Sequence, residues 1–146
     1  MINVQIKNNI KFPSLMLQDD LKKIADKLLI PALKYNIDKE QDLTENRYPP
    51  LAQSTIKQKK RYGLSPMILQ ATGRLRNSFY SQSSGKSKVI IGLSSNRRSV
   101  GNILQNVGVR SKALGTRFFN FFGISTRMEK LAMDYMRKRI NEEIQK

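Results

Sequence analysis

The chain contains no cysteine, no histidine and no tryptophan. Without cysteine there is no disulfide, no thiolate nucleophile and no Cys/His zinc site. Without histidine the usual neutral-pH general base is gone, and with it any Ser-His-Asp arrangement. Long hydrophobic runs are missing too. No stretch approaches the roughly 18 apolar residues that a membrane span requires. The opening MINVQIKNNIKF is too polar for a secretory core, so a soluble chain made in the cytoplasm is expected. Acids are scarce: 11 Asp and Glu stand against 27 Lys and Arg, for a formal net charge of +16.

What is present is unevenly distributed. Seven acids lie between Asp19 and Glu45, and from Arg47 to Met128 there is no acid against 15 Lys or Arg. Such a block must face a polyanion, an acidic partner or open water, because unpaired like charges repel one another in a compact state. Its candidate contacts to DNA or to an acidic partner are Lys57, Lys59, Lys60 and Arg61, then Arg74 and Arg76, then Arg97 and Arg98. No helix-turn-helix signature and no stacking aromatics in a sheet accompany them, so on the nucleic-acid side only non-specific phosphate contact is supported.

With 146 residues the chain is sized for one domain spanning 1–146. Leu17, Leu21, Ile24, Leu28 and Leu29 recur at helical spacing and predict a helix over about residues 17–35, capped by Ser14 or Asp19 and kinked or broken at Pro31. Residues 38–50 read as a polar loop ending in Pro-Pro. A core of short helices and a β-hairpin is expected over 51–123.

Within that core, a short basic helix runs from Leu51 and is closed by Gly63. Thr72 caps a turn carrying Leu75 and Phe79, and hairpin arms over 79–83 and 88–93 flank a turn at 84–87. Val89, Ile90 and Ile91 do not alternate, which favours a strand covered on both faces. SSNRRS is read as a loop capping a helix over 101–106, followed by a loop or second hairpin over 108–115. Ser125 or Thr126 opens a C-terminal helix over about 126–144. The expected fold is α+β: a small antiparallel sheet packed against two long amphipathic helices, N- and C-terminal, with short helices between. Phe118, Phe119, Phe121 and Phe122 crowd one segment whose two sides a single small core cannot easily absorb, making them a candidate subunit interface.

Signals for chemistry are weak. ATGRLR, residues 71–76, lacks the converging glycines of a phosphate loop, and GKSK at 85–88 fits a hairpin turn better than a Walker fragment. Asp38, Glu40, Asp42 and Glu45 form the one acid cluster suited to a nuclease metal site, yet they sit in a polar loop with no strand to hold them. A Ser-Lys dyad is not distinguishable among so many lysines. The expectation is a non-enzyme with no catalytic residue, no metal and no cofactor.

Read together, YPPLAQSTIKQKK, ILQATGRLRNSF, KVIIGL, GNILQNVG and TRFFNFFG resemble the phage virion morphogenesis proteins, the tail-completion or head-tail joining proteins of Mu-like and P2-like tailed phages. The resemblance spans residues 48 to about 140. It rests on Tyr48, Pro50, Leu51, Thr55 and Lys59, then on Ile68, Leu69, Thr72, Gly73, Leu75 and Ser78. Ile91 and Gly92, Gln105 and Gly108, and Arg117 and Phe119 follow in the family's order. The resemblance implies a non-catalytic scaffold in which Tyr48, Leu51, Thr72, Gly73 and Leu75 are structural. It further implies a homo-oligomeric ring, commonly a hexamer, in the virion at the head-tail junction or the proximal end of the tail. Its neighbours would be tail terminator, tail tube or connector proteins, with non-specific contact to genomic DNA and no membrane partner. Between synthesis and assembly it would reside in the host cytoplasm. The alternative reading is a basic accessory protein that binds nucleic acid non-specifically.

Overall fold

The computed structural model describes residues 4–5, 18–85, 88–111 and 115–145. The expected N-terminal cap Ser14, the apolar position Leu17, and the turn residues Lys86 and Ser87 lie outside them. The first helical stretch has three parts: α1 (Gln18–Ile24), a π-helical turn (Ala25–Leu29) and α2 (Ile30–Asp38). Pro31 neither breaks it nor ends it near Tyr35. A proline has no N–H to give, and its ring crowds the carbonyl four residues back. The wider turn before it, closed by the Ile30 N–H on the Ala25 carbonyl, takes up that misfit, and Pro31 falls in the first turn of α2. Leu29, Leu33 and Ile37 from this helix are almost wholly buried.

The hairpin forms where the pattern placed it, with β2 (Phe79–Ser83) antiparallel to β3 (Val89–Leu93), Phe79 facing Leu93 and Ser83 facing Val89. A short β1 (Val4–Gln5) pairs with the other edge of β3, so the strand order is β1-β3-β2. β3 is the central strand, paired along both edges, and four of its five residues are buried. Val89, Ile91 and Leu93 enter the core, while on the opposite face Gly92 lies under the ring of its cross-strand partner Tyr80. The N-terminal helix packs on this sheet.

Between helix and hairpin, α3 (Gln53–Arg61) ends as the sequence predicts. Leu64 N–H bonds the Lys59 carbonyl and Gly63 N–H the Lys60 carbonyl, with Gly63 at φ +65°: the paired bonds of a Schellman stop, which need a residue free to adopt positive φ. The turn after Thr72 is only a 3-10 turn (Arg76–Ser78), and the Thr72 hydroxyl accepts a long bond from Arg74 N–H at 3.5 Å. Leu75 and Phe79 are nonetheless buried, as the spacing requires.

SSNRRS is helix rather than loop. α4 (Ser95–Asn102) begins six residues before the expected start and runs into a second π-helical turn (Ile103–Val107). The serines and arginines carry no apolar signal, and the helix opens at Ser94 through its backbone carbonyl, which accepts from the N–H groups of Arg97 and Arg98, with no bond from the Ser94 hydroxyl to the first turn. β4 (Val109–Ser111) and β5 (Gly115–Arg117) form the second hairpin. Finally α5 (Thr126–Ile144) starts at Ser125, whose hydroxyl accepts from Met128 N–H. It packs chiefly on the N-terminal helix, through Met128 and Met136, and less on the sheet itself.

One site expectation is corrected by this core. Phe121 is 0% exposed, Phe122 2% and Phe119 6%, so three rings of the aromatic segment belong to the chain's own interior and only Phe118, at 58%, faces outward. The segment lies in no helix or strand and turns within itself, the Phe121 N–H donating to the Phe119 carbonyl, and Gln105 holds it against the core. The Gln105 Nε2 donates to the Phe122 carbonyl (2.8 Å) while its Oε1 accepts from Phe122 N–H (3.1 Å). One side-chain amide thus meets both backbone groups of a buried residue, as a neighbouring strand would.

Candidate interaction surface

Several residues of the resemblance come from well-separated parts of the chain and meet in one place. The Tyr48 ring contacts the edge of Phe119 (centroids 5.2 Å apart, planes at 65°), and the Arg117 guanidinium lies over the Phe119 ring at 5.7 Å. Arg117 also donates to the carbonyls of Pro49 and Pro50, so it fastens the Pro-Pro step to β5. The Tyr48 hydroxyl is buried with no hydrogen-bond partner among the described residues, and burial, with Asp42 nearby, pushes its pKa well above the ordinary phenol value.

Beside this staple lies a groove of about 330 Å³ whose floor is Leu51, Ile68, Leu69, Leu75, Leu104 and Phe119. Its mouth carries Arg74 and Arg97 with the exposed Val100 and Val109. Thr72 and Gly73 also border it, Gly73 at φ +70° in the turn that brings Leu75 down to the floor. Leu69 itself is held at φ +60°, a conformation that costs a branched side chain on the order of 1–3 kcal/mol and persists only where the surroundings impose it. Val100 was invisible as a groove residue in the sequence because its helix was expected to start after it, and Leu104 and Val109 because nothing in linear spacing sets them against the turn at 68–75.

The candidate cations separate into two groups. Arg76 turns inward: its Nε and an Nη each bond the Asp38 carboxylate at 2.6 Å. That pair, through the bonds first and against the cost of burial, holds the Asp38 carboxyl below its usual value and raises the guanidinium. Lys59 is likewise engaged, its ammonium donating to the Met67 carbonyl at 2.8 Å, and burial lowers its pKa despite the opposing pull of Glu40. Both are corrected from open contacts to internal struts, a change that linear spacing could not reveal. Lys57, Lys60, Arg61, Arg74, Arg97 and Arg98 have no carboxylate partner among the described residues.

The acid cluster of the polar loop is also dispersed onto separate tasks. Asp38 takes Arg76, Glu40 accepts the Ile68 N–H (2.7 Å), and Glu45 pairs with Arg127 (2.6 Å). Asp42 accepts from Thr44 and Asn46 N–H groups in its own turn. Among the described residues no three such side chains gather as metal ligands would. Lys22 and Ser81, brought into contact by α1 and β2, are the one Ser-Lys pairing of note. Asp26 bonds both of them, so the ammonium and hydroxyl are tied to a carboxylate, whereas a general base has to be a free amine. Burial opposes the Asp26 charge, and the bonds from Ser81 and Lys22 outweigh it, leaving that carboxyl below its ordinary value. The cluster fastens helix to sheet.

A second depression, of about 440 Å³, lies between the polar loop and the start of α5, but the Glu45–Arg127 pair lines it and satisfies its charge. No helix among the described residues is long and apolar enough to cross a membrane. Comparison with protein families, with curated proteins and with solved structures finds no match to this chain.

Proposed function

We propose that the chain is a structural virion protein of a tailed phage, a tail-completion or neck component that forms a ring at the head-tail interface and docks neighbouring tail or connector proteins. The observation that carries this reading is the convergence of Tyr48, Leu51, Ile68, Leu69, Leu75, Arg117 and Phe119 on one staple and groove. These are part of the resemblance, which also rests on Ser78, Ile91, Gly92, Gln105 and Gly108 elsewhere in the fold, and their meeting gives that part a physical purpose: an apolar surface with a cationic margin. Self-association falls to Phe118 with Ile103, Val107 and Val109, which are exposed around Gly108, where the Phe118 ring comes so close that a Cβ would meet it at 3.0 Å. Quantitative mass spectrometry of purified particles tests the reading. The chain is expected at a fixed small copy number per virion, and its absence from particles overturns the proposal.

A nucleic-acid reading is favoured by one specific observation, the exposed Lys57, Lys60 and Arg61 on α3, which lack carboxylate partners among the described residues. It predicts DNA retention that falls steeply as salt releases the contest for phosphates, with the slope reduced by roughly one for each cation removed. Titration of duplex DNA by Lys57→Glu/Lys60→Glu/Arg61→Glu over a salt series measures this. Particle assembly that survives while retention is lost separates this activity from the assembly role.

A further inference from the structure

The groove between the turn at residues 68–75 and α4 combines three features that a merely solvated surface does not need. Its floor is apolar and includes two nearly buried side chains, Ile68 at 4% and Leu75 at 7% exposed, with the half-buried Leu69 and Leu104 between them. Its mouth carries two guanidinium groups, Arg74 and Arg97, for which no acid stands opposite among the described residues. And Leu69 is kept in a strained backbone conformation at the groove wall, the kind of cost found where a surface is shaped for a ligand.

We propose that the groove is the docking site for an acidic segment of a partner protein, which seats an apolar side chain on the floor and sets carboxylates against Arg74 and Arg97. The proposal deepens the assembly reading and rests on it for the existence of such a partner. The volume suits one anchoring side chain with its flanks rather than a whole helix, which is how a small well-packed pocket concentrates binding energy. Guanidinium groups are suited to flanking carboxylates because they bind them as a planar fork.

Charge complementarity selects this occupant. A second copy of the chain brings a net charge of +16 to a cationic rim, and the acids near its C-terminal end, Glu142 and Glu143, already take Arg139. A nucleic acid would satisfy the rim yet leave the floor unfilled. Base stacking needs an open aromatic face, and the ring on the floor, Phe119, is 6% exposed with Arg117 across it. An acidic segment with a Leu or Phe between its carboxylates satisfies both parts.

Fluorescence anisotropy with the full chain tests this, using a labelled synthetic peptide Glu-Asp-Leu-Phe-Glu-Asp-Leu-Asp and a control in which Leu and Phe are Ser. The apolar peptide is expected to bind about tenfold or more tighter than the Ser control. Binding should fall about tenfold or more in Arg74→Glu/Arg97→Glu and in Val100→Asp, and stay unchanged in Lys130→Glu/Lys138→Glu, whose exposed charges lie on α5, which contributes no residue to the groove. Arg74 and Val100 are exposed and Arg97 half-exposed, so thermal melts of these variants should match the parent. Equal binding of the two peptides overturns the proposal, as does no saturation up to about 1 mM. Displacement of the peptide by duplex DNA, together with insensitivity to Val100→Asp, overturns it in favour of a phosphate surface. A concentration-dependent oligomer that disappears in Val100→Asp overturns it in favour of a second copy. Virion mass spectrometry is independent of all these outcomes: a chain present in particles but blind to the peptide loses the groove and keeps the assembly role, and the converse result loses the role and keeps the groove.

Discussion

Phe118 and Phe121 differ by three positions and by nearly everything physical. Phe121 is fully enclosed, between Phe122 and the sheet-facing core, so Phe121→Ala removes its burial and leaves a hole that the surroundings fill only in part. A loss of about 3–5 kcal/mol in urea unfolding is expected. Phe118→Ser, at a ring 58% exposed, should stay within about 0.5 kcal/mol of the parent and act on association alone. Equal losses at the two positions would show that the segment is not threaded through the core in this way. Asp38 supplies a pH test at the same scale. Its folded pKa is depressed by Arg76, so the pair's contribution is complete above the unfolded carboxylate value of about 3.9 and is lost as pH falls through the lower folded value. Asp38→Asn should therefore flatten the acid limb of a stability-pH curve below about pH 4, and an unchanged limb contradicts the pairing.

At the scale of elements, the π-helical turn Ile103–Val107 presents Gln105 to the aromatic segment. Gln105→Leu keeps the bulk and strands both backbone groups of Phe122, a residue 2% exposed, at about 1–3 kcal/mol for each stranded group. Denaturant midpoints check this, and a midpoint equal to the parent's sinks it. The same element shows what periodicity could and could not deliver. α5 and the first hairpin were legible to within a residue, because Ser125 caps an apolar stripe and because two β-prone runs flank a turn of Ser and Gly. The start of α4 was not, since Ser95 to Ser99 carries no apolar residue to set a period. Of the candidate surface, the scaffold residues were named from the resemblance, whereas the fates of Arg76 and Lys59 depend on partners 38 and 8 residues away. Four rings in five positions looked like more apolar surface than one small core takes in, and the turn at Phe119 to Phe121, with Gln105 closing the backbone bonds of Phe122, is what lets three of them enter.

For the molecule as a whole, the segregation of charge along the chain becomes a set of long-range ties. Acids from the first third reach cations from the rest, Asp38 to Arg76, Glu45 to Arg127 and Asp20 to Arg139. The surplus of cations remains outside, available to an acidic partner or to phosphate. The last of these ties also bears on the order in which the fold can close. Synthesis proceeds from the N-terminus, at about 5–20 residues per second. Asp20, 4% exposed in the finished protein, must wait for an arginine 119 residues downstream. Until α5 leaves the ribosome, a carboxylate that belongs inside has reason to stay in water. α5 thus acts as a latch on a helix made before it, so Arg139→Ala should loosen the turn around Asp20 before it disturbs the sheet.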